Sequence, residues 1–446
     1  MTKARALPFF SLAAFAMMTA CARPAPARPT PVTPLLGTRQ ISTSRADLDK
    51  TIISMRTRVA QSPGDATAAV MLADALLRQT RVAGNAGLAT EAEHVLVAVL
   101  DRDAERYDAR RMLAATYLSQ HRFGDALREA SRCQQVRRDD PWVFGVMGDA
   151  HIERGEYDAA FDAFDRMVAI KPTAAAYARV SYARELQGDL PGALQAMQMA
   201  ADATSPHDPE SLAWHRAQLG HLDLEMGKLN DARREFAFAD HAFPGHPFAA
   251  AGLARVAAAE GNFRGALDAV TAVLETTPTP ADLAFAGDML AALGKGDEAE
   301  RSYRLAEAAW RSDMPEPSRL ARFLSERGRN LGDAIALGER ARIDRNDIFT
   351  ADALAWAYFQ TGQLDRAQRA IALALRTGTR DRVIRFHAAA IAHAGGDIVR
   401  ARALLAEALD GSPRFDPIAA PLAVALKATL DPQGPANKRG ALVAYR

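Results

Sequence analysis

One alanine recurs along this chain at a nearly constant interval. Ala92, Ala126, Ala160, Ala193, Ala232, Ala266, Ala299, Ala334, Ala367 and Ala401 each open a short apolar helical stretch. The successive gaps are 34, 34, 33, 39, 34, 33, 35, 33 and 34 residues. A unit that short cannot bury its own apolar face, so units of this period must bury it against their neighbours in a stack. Other positions keep the same phase. Twelve residues before the alanine stands a small residue, as in Gly148, Gly220, Gly287 and Ala355. Five before it stands Gly155, Gly188, Gly227, Gly261, Gly294, Gly362 or Gly396, and twelve after it Pro172, Pro244, Pro278 or Pro413. Small residues let two helices cross closely. Glycine accepts the left-handed conformation at a helix stop, and proline follows a helix it cannot continue.

The best-formed copy, residues 148–172, reads GDAHIERGEYDAAFDAFDRMVAIKP. With its spacing of alanine, glycine and proline, it resembles the tetratricopeptide repeat, a helix–turn–helix unit. The resemblance covers residues 46–414. It implies an all-α chain, a right-handed α-solenoid superhelix of about ten repeats over residues 66–414. A half-repeat at 46–62 would precede the stack, a capping helix at 418–430 would close it, and 431–446 would form a loose tail. The gap of 39 places extra residues around Ser205–Pro209, where the stack could bend.

The first twenty residues read as an address. Lys3 and Arg5 precede an apolar run from Leu7 to Ala20, too short for a bilayer core of about 30 Å. Met18-Thr19-Ala20-Cys21 resembles the lipobox of bacterial lipoproteins, in which the cysteine carries lipid. Ala20-Cys21-Ala22 also fits ordinary signal cleavage, which would release a soluble periplasmic or secreted protein. Pro24, Pro26, Pro29, Pro31 and Pro34 make residues 21–45 an extended tether. The expected location is the cell envelope, lipid-anchored on the periplasmic face of the outer membrane.

Lysine and arginine total 55 against 54 aspartate and glutamate, so bulk charge excludes a polybasic nucleic-acid binder. Two cysteines, Cys21 and Cys133, exclude a disulfide scaffold. Cys133 falls where the second helix needs a small residue. No nucleophile elbow, zincin or P-loop motif occurs. Gly294–Ala299 matches a dinucleotide fingerprint in letters, but lies at an inter-helix turn with no strand before it. Catalysis, a cofactor and a metal are therefore not expected.

In the family, the second, fifth, ninth and twelfth residues of each repeat line the concave face. Here the second position holds Trp142, Trp214, Phe248 and Phe349; the ninth holds Tyr182, Phe323 and Trp356; the twelfth holds Phe359; the fifth holds Phe386. These nine aromatics are the candidate groove for a protein or peptide partner, with packing against the preceding repeat as the other reading. The resemblance implies a non-catalytic interaction scaffold, tied to the membrane only by lipid at Cys21. His207, His215, His221, His241 and His246 leave open a small-ligand or metal-sensing alternative on the middle repeats.

Overall fold

The computed structural model describes residues 44–276, 278–312 and 317–431. The expected signal segment, Cys21, most of the tether and residues 432–446 lie outside them. Among the described residues there are 22 helices and no strand. Helix α1 (Arg45–Gln61) stands first. The pairs α2/α3 (Ala66–Ala83, Gly87–Leu100), α4/α5 (Tyr107–Ser119, Phe123–Val136) and α6/α7 (Pro141–Arg154, Tyr157–Ile170) follow. Next come α8/α9 (Ala174–Leu186, Leu190–Asp202), α10/α11 (Pro209–Glu225, Leu229–Ala242) and α12/α13 (Pro247–Ala259, Phe263–Thr276). Then come α14/α15 (Pro280–Ala292, Gly296–Ser312), α16/α17 (Pro317–Glu326, Leu331–Ala341), α18/α19 (Ile348–Gln360, Leu364–Ala374) and α20/α21 (Arg382–Ala394, Ile398–Leu409). Helix α22 (Ala419–Leu430) ends the described chain. Each pair packs as an antiparallel hairpin and the next pair stacks on it, so the chain is an α-solenoid.

Local chemistry sets the helix ends. Asp65, Asp140, Thr173, Asp189, Asp208, Thr279, Asp347, Asp381 and Asp397 cap helix N-termini, each accepting a backbone N–H from the first turn. Pro141, Pro209, Pro247 and Pro280 occupy the first helical position, where no N–H is needed. The extra residues before Pro209 form the 203–208 connection and a longer first helix of 17 residues. Within a hairpin, the small residue of one helix receives the aromatic ring of the other. A Cβ on Gly148 would lie 2.3 Å from the Phe164 ring, and one on Gly287 would lie 2.4 Å from Tyr303.

The stack also returns upon itself. Residues 157 to 221 positions apart meet, because the turns of the middle pairs lie against those of the C-terminal pairs. The Tyr157 hydroxyl accepts a hydrogen bond from the Ile348 N–H at 2.9 Å. Arg345 pairs with Glu153 at 2.6 Å, and Arg376 donates to the carbonyls of both Gly155 and Asn346. Arg382 donates to the Glu225 carbonyl at 2.9 Å. One apolar core accordingly contains Tyr157, Phe164 and Leu186 together with Ile348, Trp356, Phe386 and Leu426. At the N-terminal end, Arg81 pairs with buried Glu210 at 2.7 Å and Val82 joins the core of α10 and α12.

Backbone approaches backbone at this closure. A Cβ on Gly155 would lie 2.0 Å from the Asn346 carbonyl oxygen, and one on Gly227 would lie 2.5 Å from that of Gly411. Both glycines have positive φ, 72° and 74°. A Gly155→Val/Gly227→Val variant is expected to open the closure while its hairpins stay helical. Small-angle scattering should show a larger radius of gyration with far-ultraviolet dichroism nearly unchanged. An unchanged radius would show that these turns do not hold the closure.

Candidate functional site

The closure encloses a chamber of about 930 Å³. Its wall is the row of first helices from α8 to α18. Its other side is the approach to α20, the loop 413–417 and α22. The ninth position of four successive repeats points a polar or aromatic side chain into it: His221, Arg255, Asp288 and Phe323. The twelfth position adds Glu185 and Glu326, and the fifth adds Arg319. The inward register of the family is thus the register that lines the cavity.

Most of the chamber's carboxylates are engaged. Asp288 is buried, receives Arg327 at 2.7 and 3.0 Å, and accepts from the Tyr303 hydroxyl at 3.0 Å. Burial still pushes its carboxyl up to about 6, against the pull of Arg327. Glu326 pairs with Arg322 at 2.6 Å and with Arg327 at 3.1 Å. Asp381 caps α20, and Asp416 accepts from the Ile418 and Ala419 N–H groups at 2.8 and 2.7 Å. Glu185 faces His221 at 3.5 Å. Burial opposes the imidazolium of His221, but Glu185 outweighs it and raises the group to about 9. Burial also pushes Glu225 up to about 7, against the nearby charge of His221.

The nine candidate aromatics divide. Phe323 and Phe349 line the chamber. Phe323 is buried, packed on Trp310 at 4.9 Å and beneath the Arg327 guanidinium. Trp356 is only 3% exposed. It stacks on His387 at 4.0 Å and on Phe359 at 5.1 Å, and meets fully buried Phe386 at 5.5 Å. His387 in turn bonds to Asp352 at 3.0 Å. These rings are core, so the packing reading holds for Phe323, Trp356 and Phe386. Phe359 and Tyr182 are half-buried against the same core. Trp142 is half-buried under Arg111 at 4.2 Å, and Trp214 sits edge-on to His215 at 5.2 Å. Phe248 alone of the nine is exposed, at 47%.

The histidines do not converge. His207 and His241 are exposed and His221 faces the chamber, whereas His215 and His246 are buried. Among the described residues no three His, Cys, Asp or Glu side chains are placed to hold a metal ion. Cys133 is buried, and burial raises its thiol to about 11, so it stays protonated.

Charged residues occupy the same inward register as the aromatics. His221, Arg255 and Asp288 share the ninth position with Phe323, so their signal was present. Trp310, on a second helix, and Arg414, in a loop, carried no periodic signal. Trp310 reaches the cavity by packing on Phe323 of the next helix, whereas Arg414 is brought there by closure.

The tetratricopeptide repeat family model matches residues 146–209 and 218–281. The chain is a tetratricopeptide-repeat protein. Proteins of this family generally mediate protein–protein interaction and assembly and are typically non-catalytic scaffolds. Among solved structures, a tetratricopeptide repeat protein from Parabacteroides merdae is 14% identical, with a TM-score of 0.41 over 59% of this chain and 93% of its own. PilW, a type IV pilus biogenesis factor, is 17% identical, with a TM-score of 0.39 over 48% and 95%. Pseudomonas aeruginosa PilF is 15% identical, with a TM-score of 0.39 over 47% and 94%. No curated protein matches the sequence.

Two outcomes follow for this tetratricopeptide-repeat protein. Trp356→Ala removes a ring stacked on His387 and Phe359 and is expected to cost about 3–5 kcal/mol, read as a fall in melting temperature. An unchanged melting temperature would contradict its place in the core. His215 and His246 provide the second. Burial lowers both to about 4, and the His246 Nδ1 has no partner. The unfolded chain takes up protons there near pH 6.5, whereas the folded chain does so only near pH 4. The stability these groups confer is complete above pH 6.5 and is lost as pH falls towards 4, by about 3 kcal/mol for each. His246→Phe should flatten the fall in denaturation midpoint across that window, and an unaltered slope would reject the assignment.

Proposed function

We propose that the protein is a non-catalytic interaction scaffold of the bacterial cell envelope, engaging a partner protein or peptide along the inner face outside the chamber. Phe248 carries this reading. It holds the second position of its repeat, on α12, and is left 47% exposed. Phe238, on the adjacent α11, is 44% exposed, and Trp142 and Trp214 share the position of Phe248. Exposed and half-buried rings recurring at one register position are the composition of interface anchors.

The N-terminal sequence supports the location. Lys3, Arg5, the apolar run and Cys21 fit export followed by lipidation, and the spaced prolines fit a tether. No helix among the described residues is long and apolar enough to cross a membrane. An acyl chain on Cys21 would therefore provide the attachment, on the periplasmic face of the outer membrane.

Cross-linked capture from native envelopes tests both parts. With the full chain as bait, Phe248→Ala/Trp214→Ala should lose the partner while Trp356→Tyr keeps it. Cys21→Ser should move the bait from the membrane to the soluble fraction. A partner retained by the Phe248→Ala/Trp214→Ala variant would remove the contact from this face, and membrane retention of Cys21→Ser would remove the lipid anchor.

A further inference from the structure

The chamber holds guanidinium groups that make no ion pair with its carboxylates. Arg322 and Arg327 are paired as described above. Arg255 donates only to its own helix, to the Ala251 carbonyl at 3.1 Å, and lies over the Phe285 ring at 5.1 Å. Arg380 and Arg414 have no hydrogen-bond or ion-pair partner among the described residues, although both line the chamber. Arg414 lies against the Gly261 turn, where a Cβ would be 3.4 Å from its guanidinium carbon. Asp288, Glu326, Asp381, Asp416 and Glu185 are each held by a cation or a helix N-terminus, which leaves Glu225 as the remaining acid. Spare cations in a partly desolvated cavity favour an anion from outside.

The rest of the wall is apolar. Phe285 underlies Arg255, while Leu224, Phe415 and Val424 line the cavity with it. A volume of about 930 Å³ falls in the range of small-molecule sites, concave cavities lined by hydrophobic side chains with a few charged groups that fix orientation. Arg380, Pro413 and Arg414 are exposed, so the chamber reaches solvent on that side. We propose that the chamber binds a small amphipathic organic anion, its charged group on Arg255 and Arg414 and its apolar body against Phe285 and Phe415. This site is separate from the Phe248 surface, and the two readings stand or fall independently.

The fluorescent dye anilinonaphthalenesulfonate, itself an amphipathic organic anion, is the probe for the full chain. Binding is expected to saturate at one dye per chain. Octanoate should displace it at least about tenfold more effectively than octyltrimethylammonium, which has the same tail and the opposite charge. Arg255→Gln/Arg414→Gln should weaken dye binding about tenfold or more, with the melting temperature near that of the native chain, because neither residue has a carboxylate partner to lose. Arg414→Glu, in a loop, reverses one charge outside any helix and should weaken binding even if the double variant is unstable. Equal displacement by the two surfactants would overturn the proposal, as would unchanged affinity in Arg414→Glu or no saturable binding. Displacement by an acidic heptapeptide of aspartate and phenylalanine, but not by octanoate, would assign the chamber to a peptide and overturn it equally.

Discussion

The contact on which this architecture depends is backbone against backbone, where the turns after α6, α8 and α10 meet the turns of the C-terminal pairs. A tetratricopeptide solenoid gains stability from neighbour to neighbour and needs no long-range contact to stand. Here Gly155, Gly188 and Gly227 let carbonyls of Asn346, Gly378 and Gly411 approach to distances that a Cβ would forbid. Those glycines already serve their own hairpins as helix stops, so one residue meets two requirements. The hydroxyl of Tyr157 and the guanidiniums of Arg345, Arg376 and Arg382 then satisfy the polar groups that the approach would strand.

Closure redistributes the inner face. A solenoid that stays open offers its first helices to a partner. In this chain part of the C-terminal stretch of that face is consumed by packing, with Trp356, Phe386 and His387 stacked in the core, and the stretch from α8 to the start of α18 walls a chamber. The charged residues facing the chamber sort into pairs and remainders. Arg322, Arg327, Asp288 and Glu326 form a network whose members satisfy one another. Arg255, Arg380 and Arg414 stand outside it, lining the cavity without a carboxylate partner.

Much of the fold was legible in sequence because its determinants are local. The alanine period, the crossing glycines and the stop glycines each act within one hairpin. Gly148 against Phe164 and Gly287 against Tyr303 show why a small residue and a ring recur at a fixed separation. The candidate site was less legible. His221, Arg255, Asp288 and Phe323 share the ninth position and line the chamber. Choosing aromatics within the inward register selected rings such as Trp356 and Phe386 that pack inside the protein. An aromatic residue is equally suited to a core and to a groove, and spacing alone does not distinguish them.

By itself, then, the sequence determined the repeat, the pairing of helices and the faces they turn towards one another, because each of these depends on residues within about one period of each other. Tertiary structure decided which stretch of the inner face is filled, which is enclosed and which is left to solvent. Those outcomes depend on the small rotation between successive repeats. Summed over more than five of them, it brings Tyr157 to Ile348, and over more than four, Arg414 to Gly261. No single repeat encodes that sum.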